Sequence, residues 1–315
     1  MQKKFVFVCL LIILFLRIFF LFSVETFVLD ESYFHLRHIE HIQEHKNPMN
    51  YDELSFFGRY YAGNPLIYTV LAILLPTDNT HFWLLVLSQI LWFCTSALIF
   101  LIIIQLCKNM WYGVLGIVVY SFFPIHALYT ISSFSLYSFF TLLFLFVLYA
   151  FILWRKTKKR IWYWIFVCAF LSTLFFHQLG LLLLFSYILY IFFRKINSLD
   201  IEKREIEFSV FSLIVGLFLY YVLFTEALLT HSIYIFFTQF YTLSPVENIT
   251  YLPQMGLLAL AFGLYGLYQL LVNQTVQKGI SFFFLSFFMT VLFFLSIGTI
   301  SFFGGLYIIC SVGSV

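Results

Sequence analysis

The sequence predicts an all-α integral membrane protein, a polytopic bundle of about 10 transmembrane helices with a long first extracytoplasmic loop. Of its 315 residues, 63% are hydrophobic and only 10% are charged, and the mean hydropathy is +1.00. Such a chain has too few polar groups to cover a soluble globule. Apolar runs of roughly membrane-spanning length also recur along the chain, separated by polar stretches.

The first span follows Met-Gln-Lys-Lys and is predicted to stay uncleaved, because no small-residue cleavage pattern comes after it. The segment 64–76 is apolar but too short to cross comfortably, so we expect a re-entrant or interfacial helix there. The predicted spans are 5–28, 82–106, 112–124, 135–154, 161–177, 179–193, 207–225, 255–272, 279–297 and 301–315.

The basic residues predict how the chain is oriented. With the spans above, 13 of the 17 Lys and Arg residues fall on one side, which the positive-inside rule assigns to the cytoplasm. The N-terminus is then cytoplasmic and the loop 28–81 extracytoplasmic. We expect one membrane domain over 1–315 and no soluble C-terminal domain. The formal charge of +3, spread over short loops, argues against a nucleic-acid partner, so membrane lipids are the expected surroundings.

Two features of composition bear on packing and cofactors. The 45 Phe and 21 Tyr beside only 14 Gly predict spans packed by bulky rings rather than by close glycine contacts. The five cysteines show no paired spacing, so neither a disulfide framework nor a zinc site is indicated.

The loop after the first span concentrates the polar chemistry. Residues 28–65 hold six of the 14 acidic residues and four of the eight histidines. Asp30 and Glu31 come where the span reaches the membrane surface, so a carboxylate there can stay hydrated and still face the bundle. Asp30 could act as a general base or hold a divalent cation such as Mg²⁺ or Mn²⁺.

A helix is predicted from Ser32 to about His45. Its apolar residues share one face, and His38, His41 and His45 share a neighbouring face. Three histidines at this spacing could bind a metal, or they could form the solvated stripe of an interfacial helix. The apolar residues of the first face are Leu36, Ile39 and Ile42.

Arginines in and near this loop are candidate phosphate ligands. Arg37 and Arg59 could each clamp phosphate oxygens in a bidentate way or bind lipid headgroups. Arg17 lies near the middle of the first predicted span, where a bare cation costs roughly 2.5–3.5 kcal/mol. We therefore expect it to face the bundle interior, either paired with an acid such as Glu226 or in contact with a lipid pyrophosphate.

The loop residues DESYFHLRHIEHI, a Pro-containing turn, DELSFFGR and a Pro-started apolar helix resemble the first outer loop of oligosaccharyltransferase catalytic subunits. More broadly, they are similar to membrane glycosyltransferases of the GT-C fold. The resemblance implies that Asp30 is the essential aspartate, and the family continuation matches Tyr33, His35, Leu36 and Arg37. It implies transfer of a sugar or glycan from a polyprenyl-phosphate-linked donor to a protein or lipid acceptor on the extracytoplasmic face.

The resemblance extends to one later stretch and departs at another. Ser244-Pro245-Val246-Glu247 is similar to a family motif whose glutamate belongs to the active site, which makes Glu247 a further candidate beside Asp30 and Glu31. The second outer loop of the family supplies an acidic pair, but the matching stretch 124–138 has no acid, and His126 is its only titratable group besides tyrosines. His35 and His126 are expected to bind substrate with the arginines. This departure favours the alternative, a non-catalytic lipid-linked-sugar transporter or flippase, or a scaffold derived from the enzyme.

Overall fold

The computed structural model describes residues 2–22, 26–28, 30–49, 51–52, 59–60, 65–121, 130–176, 180–240 and 283–286. Nearly all of them are helical, as the predicted fold class requires. The helices are α1 (Gln2–Leu21), α2 (Asp30–His45), α3 (Leu66–Leu74), α4 (Thr80–Cys107), α5 (Met110–Ser121), α6 (Leu136–Thr157), α7 (Arg160–Phe176), α8 (Gly180–Ile196) and α9 (Lys203–Phe240). Two short strands, β1 (Tyr51–Asp52) and β2 (Arg59–Tyr60), pair antiparallel within the loop.

Among the described residues, three helical segments are long and apolar enough to cross a bilayer. They are Thr80–Cys107, Leu136–Thr157 and Lys203–Val222, and shorter apolar helices lie at Leu10–Leu21, Met110–Ser121 and Arg160–Phe176. At 1.5 Å per residue, the 28 residues of α4 extend about 42 Å, against a hydrocarbon thickness of about 30 Å. The chain is therefore a membrane protein. Of the predicted spans 255–272, 279–297 and 301–315, only 283–286 lies within the described residues.

Two helix boundaries differ from the sequence prediction. α1 ends at Leu21 rather than near residue 28, because Phe27 enters the core and the Val28 N–H donates to the carbonyl of Ser132 instead of to its own helix. α9 is 38 residues long and extends to Phe240, well past the predicted end at 225. The sequence there continues apolar and without Pro, so nothing local ends the helix.

The other helix ends follow recognisable local signals. The Asn79 side chain accepts a hydrogen bond from Phe82 N–H at the start of α4, and Ser135 accepts from Tyr137 N–H at the start of α6. α4 and α6 both end on a lysine with positive φ, Lys108 and Lys158. α2 ends at His45 as predicted but begins at Asp30, because the two acids occupy its first turn.

The structure forms two compact units, Met1–Gly180 and Leu181–Val315, each described here by itself. In the first unit, one apolar cluster joins the end of α1, α2, α3, the start of α4 and the segment before α6. Its buried members are Leu21, Phe27, Ile39, Ile42, Ile67, Tyr68, Leu71, Leu84, Leu85, Leu91 and Phe134. Ile39 and Ile42 are buried and Leu36 packs against them, which confirms the predicted apolar face of α2.

The segment 64–76 contains the nine-residue helix α3, about 14 Å long, so it is too short to cross a membrane. Gln43 of α2 donates its side-chain amide to the carbonyls of Ala72 and Leu75 and so holds the end of α3. One face of α3 is buried against the core, while Ile73 and Leu74 on the other face are exposed.

Close glycine contacts do occur, contrary to the prediction from composition. α5 packs on α4 through Gly113 and Gly116, and a Cβ at Gly113 would come within 2.6 Å of the Phe100 ring. Small residues allow transmembrane helix backbones to approach closely. The prediction was wrong because it counted glycines over the whole chain, whereas these two lie one turn apart on a single helix face.

In the second unit, the turn between α8 and α9 is held by a buried ion pair that the sequence analysis did not identify. Arg194 Nη1 lies 2.6 Å from Glu205 Oε2, and Glu205 is fully buried. The same carboxylate accepts hydrogen bonds from Tyr190 OH and from the backbone N–H of Glu202. Both oxygens of the Glu205 carboxylate thus accept hydrogen bonds besides facing the arginine, which is the condition for tolerating a buried carboxylate.

Candidate functional site

The amino end of α2 positions two carboxylates side by side. Asp30 and Glu31 form the first turn of the helix, where the unsatisfied N–H groups and the helix dipole favour negative charge. Asp30 is exposed, and its side chain has no hydrogen bond or ion pair with the described residues. Glu31 points the other way, into the bundle, and its side chain is 33% exposed.

Two neighbours orient the carboxylate of Glu31. Its Oε1 lies 3.2 Å from His35 Nε2, one turn along α2. The same oxygen accepts a hydrogen bond of 3.2 Å from the Ser135 hydroxyl, which belongs to the segment before α6. One carboxylate oxygen is thus engaged on both sides, while the group remains partly open to solvent.

His35 is held in turn by Tyr68 of α3. His35 Nδ1 lies 2.8 Å from the Tyr68 hydroxyl, and both side chains are buried. These partners fit the neutral imidazole in which Tyr68 donates to Nδ1 and Nε2–H donates to Glu31. Tyr68, His35 and Glu31 therefore form a hydrogen-bonded chain from the core to the half-exposed carboxylate. Both ring nitrogens of His35 are engaged, so its predicted contact with substrate would be made through Glu31.

The segment 130–135 closes over this end of α2. Ser32 of α2 exchanges hydrogen bonds of 2.9 Å with both the N–H and the carbonyl of Phe134. Ser88 of α4 donates to the carbonyl of Ser133. The carbonyl of Ser132 accepts from Val28 N–H at 3.1 Å. Ser32, which was predicted to begin the helix, instead holds the segment 130–135 in place by these two hydrogen bonds.

Arg17 is bound to the same segment at its other end. Its Nε donates to Gln89 Oε1 at 3.0 Å, Nη2 donates to the Thr130 hydroxyl, and the guanidinium lies 4.5 Å from the centre of the Trp92 ring. The side chain is 4% exposed, which confirms that it faces the interior. It is not at mid-span, however. α1 ends only four residues later, at a rise of about 6 Å.

The partners of Arg17 within the described part of the chain are all neutral. No salt bridge of Arg17 is found among these residues. The predicted alternative partner Glu226 belongs to the other compact unit, and its side chain lies outside the described ones. The ion pair of Arg17 with Glu226 and its contact with a lipid phosphate therefore both stay predictions.

The remaining predicted site residues are only partly described. Arg37 is half-buried on α2. Arg59 lies in β2, opposite Asp52 of β1, but its side chain is outside the described ones. His126 and Glu247 both fall outside the described residues. Their predicted roles stay predictions.

The three histidines of α2 that were predicted to share a face, His38, His41 and His45, do not form a metal site. His38 is buried with its ring stacked on Tyr68 at 4.9 Å, whereas His41 and His45 stack on each other at 4.4 Å. The solvated-stripe interpretation is also wrong for His38, though His45 is exposed. Within the described ranges no group of three or more His, Cys, Asp or Glu side chains could hold a metal. Asp30 and Glu31 alone do not complete a site for the divalent cation among the described residues. The predicted cation stays a prediction, and the glycosyl-transfer step proposed for this site does not use one.

Sequence reasoning missed Tyr68, Ser135, Gln89, Thr130 and Trp92. Gln89 carried a usable signal, since a lone amide inside an apolar span usually faces a partner. Tyr68 and Ser135 carried none, because their partners lie 33 and 104 positions away along the chain.

No protein-family model matches the chain, and no curated protein matches it at a significant level of sequence similarity.

Proposed function

We propose that the protein is a membrane glycosyltransferase that moves a sugar or glycan from a polyprenyl-phosphate-linked donor to a protein or lipid acceptor. One observation carries the proposal: the buried cation Arg17 and the carboxylate Glu31 both bind the segment 130–135. Thr130 and Ser135 are five residues apart, so their Cα atoms are at most about 18 Å from each other. A donor phosphate bound by Arg17 and an acceptor held by Glu31 can therefore belong to one complex there.

Asp30 is the central base in this proposal. It is exposed at the first turn of α2, where an acceptor can reach it, and the helix dipole stabilises its charge. Glu31 lies beside it with one oxygen fixed by His35 and Ser135. This fixed carboxylate would hold the acceptor in place, which is the part of catalysis that depends on positioning.

The proposed step is a displacement at the anomeric carbon of the donor sugar. The acceptor atom forms a bond to that carbon, and the bond from the carbon to the phosphate oxygen breaks. The electron pair of that bond leaves with the lipid phosphate, and the acceptor proton passes to Asp30. A cationic side chain near the leaving phosphate stabilises the negative charge that develops on it.

The predicted orientation belongs to this proposal. The turn after α4 carries Lys108, and the ends of α6 and α8 and the turns after them carry clusters of Lys and Arg. α2 begins at the opposite end of α1 from Lys3 and Lys4. The positive-inside rule then puts the N-terminus in the cytoplasm and the carboxylates on the extracytoplasmic face.

A lipid-linked-sugar transporter or flippase, or a scaffold, is the second candidate. The observation that favours it is the acid-free sequence of the stretch 124–138, of which 130–135 lies directly against Glu31 and Arg17. Such a site could bind a lipid-linked sugar without cleaving it.

Reconstitution in liposomes separates the two candidates. The purified protein is supplied with a panel of polyprenyl-phosphate-linked sugars and with peptide and lipid acceptors, and both glycosylated product and donor translocation are measured. The proposal predicts product formation without net translocation. Translocation without product from any donor would favour the transporter and contradict the enzyme.

A further inference from the structure

Two buried donors lie together at Arg17, and no described residue accepts a hydrogen bond from either. Arg17 Nη1 and Trp92 Nε1 are both shielded from solvent, and neither has a hydrogen-bond partner in the described part of the chain. The two side chains are in contact, with the guanidinium 4.5 Å from the centre of the indole ring. Buried N–H groups are rarely left unpaired, so this place needs an acceptor that the neighbouring side chains do not supply.

The required acceptor is an anion. The neighbours of Arg17 are an amide and two hydroxyls. Gln89 Oε1 accepts from Arg17 Nε and the Thr130 hydroxyl accepts from Nη2, while the Tyr120 hydroxyl lies near enough to interact electrostatically with the guanidinium. Gln89 is fixed in this orientation because its amide donates to the Thr130 carbonyl. A full positive charge held in a dry site by neutral groups carries a desolvation cost that only a negative partner offsets well. Among anions, phosphate fits the donor fork of arginine.

The position of the site selects a phosphate that carries a hydrocarbon chain. Arg17 is one turn from the end of α1. The other face of the same apolar helix is exposed, with Ile12, Phe15 and Phe19 each more than half exposed. In a membrane these side chains contact lipid, so the phosphates that surround the end of α1 are those of lipid molecules.

We propose that Arg17 and Trp92, supported by Gln89 and Thr130, form a binding site for the phosphate group of a membrane-embedded lipid. This inference deepens the proposed function, because it places the phosphate of the donor, and of the leaving lipid phosphate, at Arg17. It can nevertheless be tested without any sugar transfer.

The test measures ligand binding to the full-length protein in detergent micelles by the rise in its Tm. The probes are polyprenyl phosphate, the matching polyprenol without phosphate, and inorganic phosphate. We expect polyprenyl phosphate to raise the Tm, and the other two to do so little. Arg17→Gln should weaken polyprenyl phosphate binding roughly 10- to 100-fold, since a charge-assisted hydrogen-bond pair is lost.

Trp92→Phe keeps an aromatic ring beside Arg17 and removes the Nε1 donor, so it should weaken binding a few-fold. Because Trp92 is fully buried, the smaller ring should also lower the unliganded Tm, and the ligand-induced rise is therefore measured from the unliganded Tm of each variant. Trp83→Phe is the matched control, because Trp83 is exposed on the same helix. The Trp92 variant keeps the test decisive even if Arg17→Gln does not fold.

Three results would overturn the inference. Equal stabilisation by polyprenol would show that the chain alone binds, and equal stabilisation by inorganic phosphate would make the ligand a free anion. If Arg17→Gln and Glu226→Gln lower the unliganded Tm equally and non-additively, with no phosphate effect, Arg17 belongs to a structural ion pair. Intact lipid binding without any sugar transfer would contradict the proposed function alone, whereas transfer without this binding would contradict only the inference.

Discussion

At the scale of single residues, the Tyr68–His35–Glu31 chain changes the role expected of Glu31. A Glu31 side chain that leaned away from the bundle would matter much less than Asp30. Glu31 instead leans toward the bundle and is held by two hydrogen bonds. Adjacent residues in a helix differ by about 100° in direction, so the two acids could not both point the same way. Sequence predicted the pair but not which acid faces the bundle.

Replacing Tyr68 by Phe should lower stability, because the mutation removes only the hydroxyl and leaves the buried Nδ1 of His35 without its partner. A buried polar group left unsatisfied costs about 1–3 kcal/mol. Thermal unfolding in detergent measures the loss. Tyr33→Phe, at an exposed position of α2, is the control and should change little. Equal Tm values for Tyr68→Phe and the unmodified protein would disprove the hydrogen bond.

Glu40 gives a pH-dependent prediction on the same helix. Burial raises the pKa of the Glu40 carboxyl above its ordinary value, and the charge of Glu44 raises it further. The folded state therefore favours the protonated form, and this contribution to stability is lost as the pH rises through the raised pKa. Glu40→Gln should stabilise the protein at pH 7 by roughly a few tenths of a kcal/mol, because the group is only partly buried and solvent screens its charge. The gain should vanish below the ordinary carboxyl pKa. A Tm difference that is the same at both pH values would contradict this.

At the scale of elements, sequence predicted helices where hydrophobic periodicity and local end signals agree. α2 ends at His45 before Asn47-Pro48, and the segment 64–76 contains only a short helix, both as expected. The end of α1 could not be predicted, because Val28 leaves the apolar run to bind the Ser132 carbonyl, more than 100 positions away, and Phe27 packs against His81. The Arg194–Glu205 pair was hidden in the same way, since its arginine resembles any basic residue in a short turn between apolar helices.

That ion pair predicts how the α8–α9 turn responds to mutation. Arg194→Leu should destabilise the protein by about 3–5 kcal/mol, because it leaves Glu205 buried without its cation. The double variant Arg194→Leu with Glu205→Leu should recover much of the loss. Lys203→Ala breaks the exposed Lys203–Glu207 pair and should cost about 0–1 kcal/mol. If Arg194→Leu proves as mild as Lys203→Ala in thermal unfolding, the pair is not buried.

At the scale of the whole molecule, composition alone was sufficient to predict a helical membrane protein, and the three long apolar helices confirm it. The candidate functional site could not be predicted from composition, because it is assembled from α1, α2, α3, α4 and the segment 130–135. Sequence located the acids and Arg17, since charge is rare in this chain. It could not show that Thr130 and Ser135 join them, because two serine- or threonine-type hydroxyls carry no distinctive pattern.

The proposed orientation of the molecule rests on the one-sided distribution of Lys and Arg along the sequence. In a variant without the native cysteines, a single cysteine at Asn47 should react with an impermeant reagent added outside intact cells. A cysteine at Thr157 should react only after the membrane is opened. Both positions are exposed in the structure, so burial would not mask either. Reversed labelling would put the carboxylates in the cytoplasm and contradict the proposed orientation.

The most direct measurement for the carboxylate site is the initial rate of glycosyl transfer in liposomes by Asp30→Asn, Glu31→Gln and the unmodified protein. Asp30→Asn keeps the size of the side chain and removes the base, so the rate should fall about 10²–10⁴-fold. Glu31→Gln should also cause a clear loss, because Glu31 faces the bundle beside His35. Glu44→Gln, exposed at the other end of α2, should keep full activity. Full activity in both the Asp30 and the Glu31 variants would contradict the account.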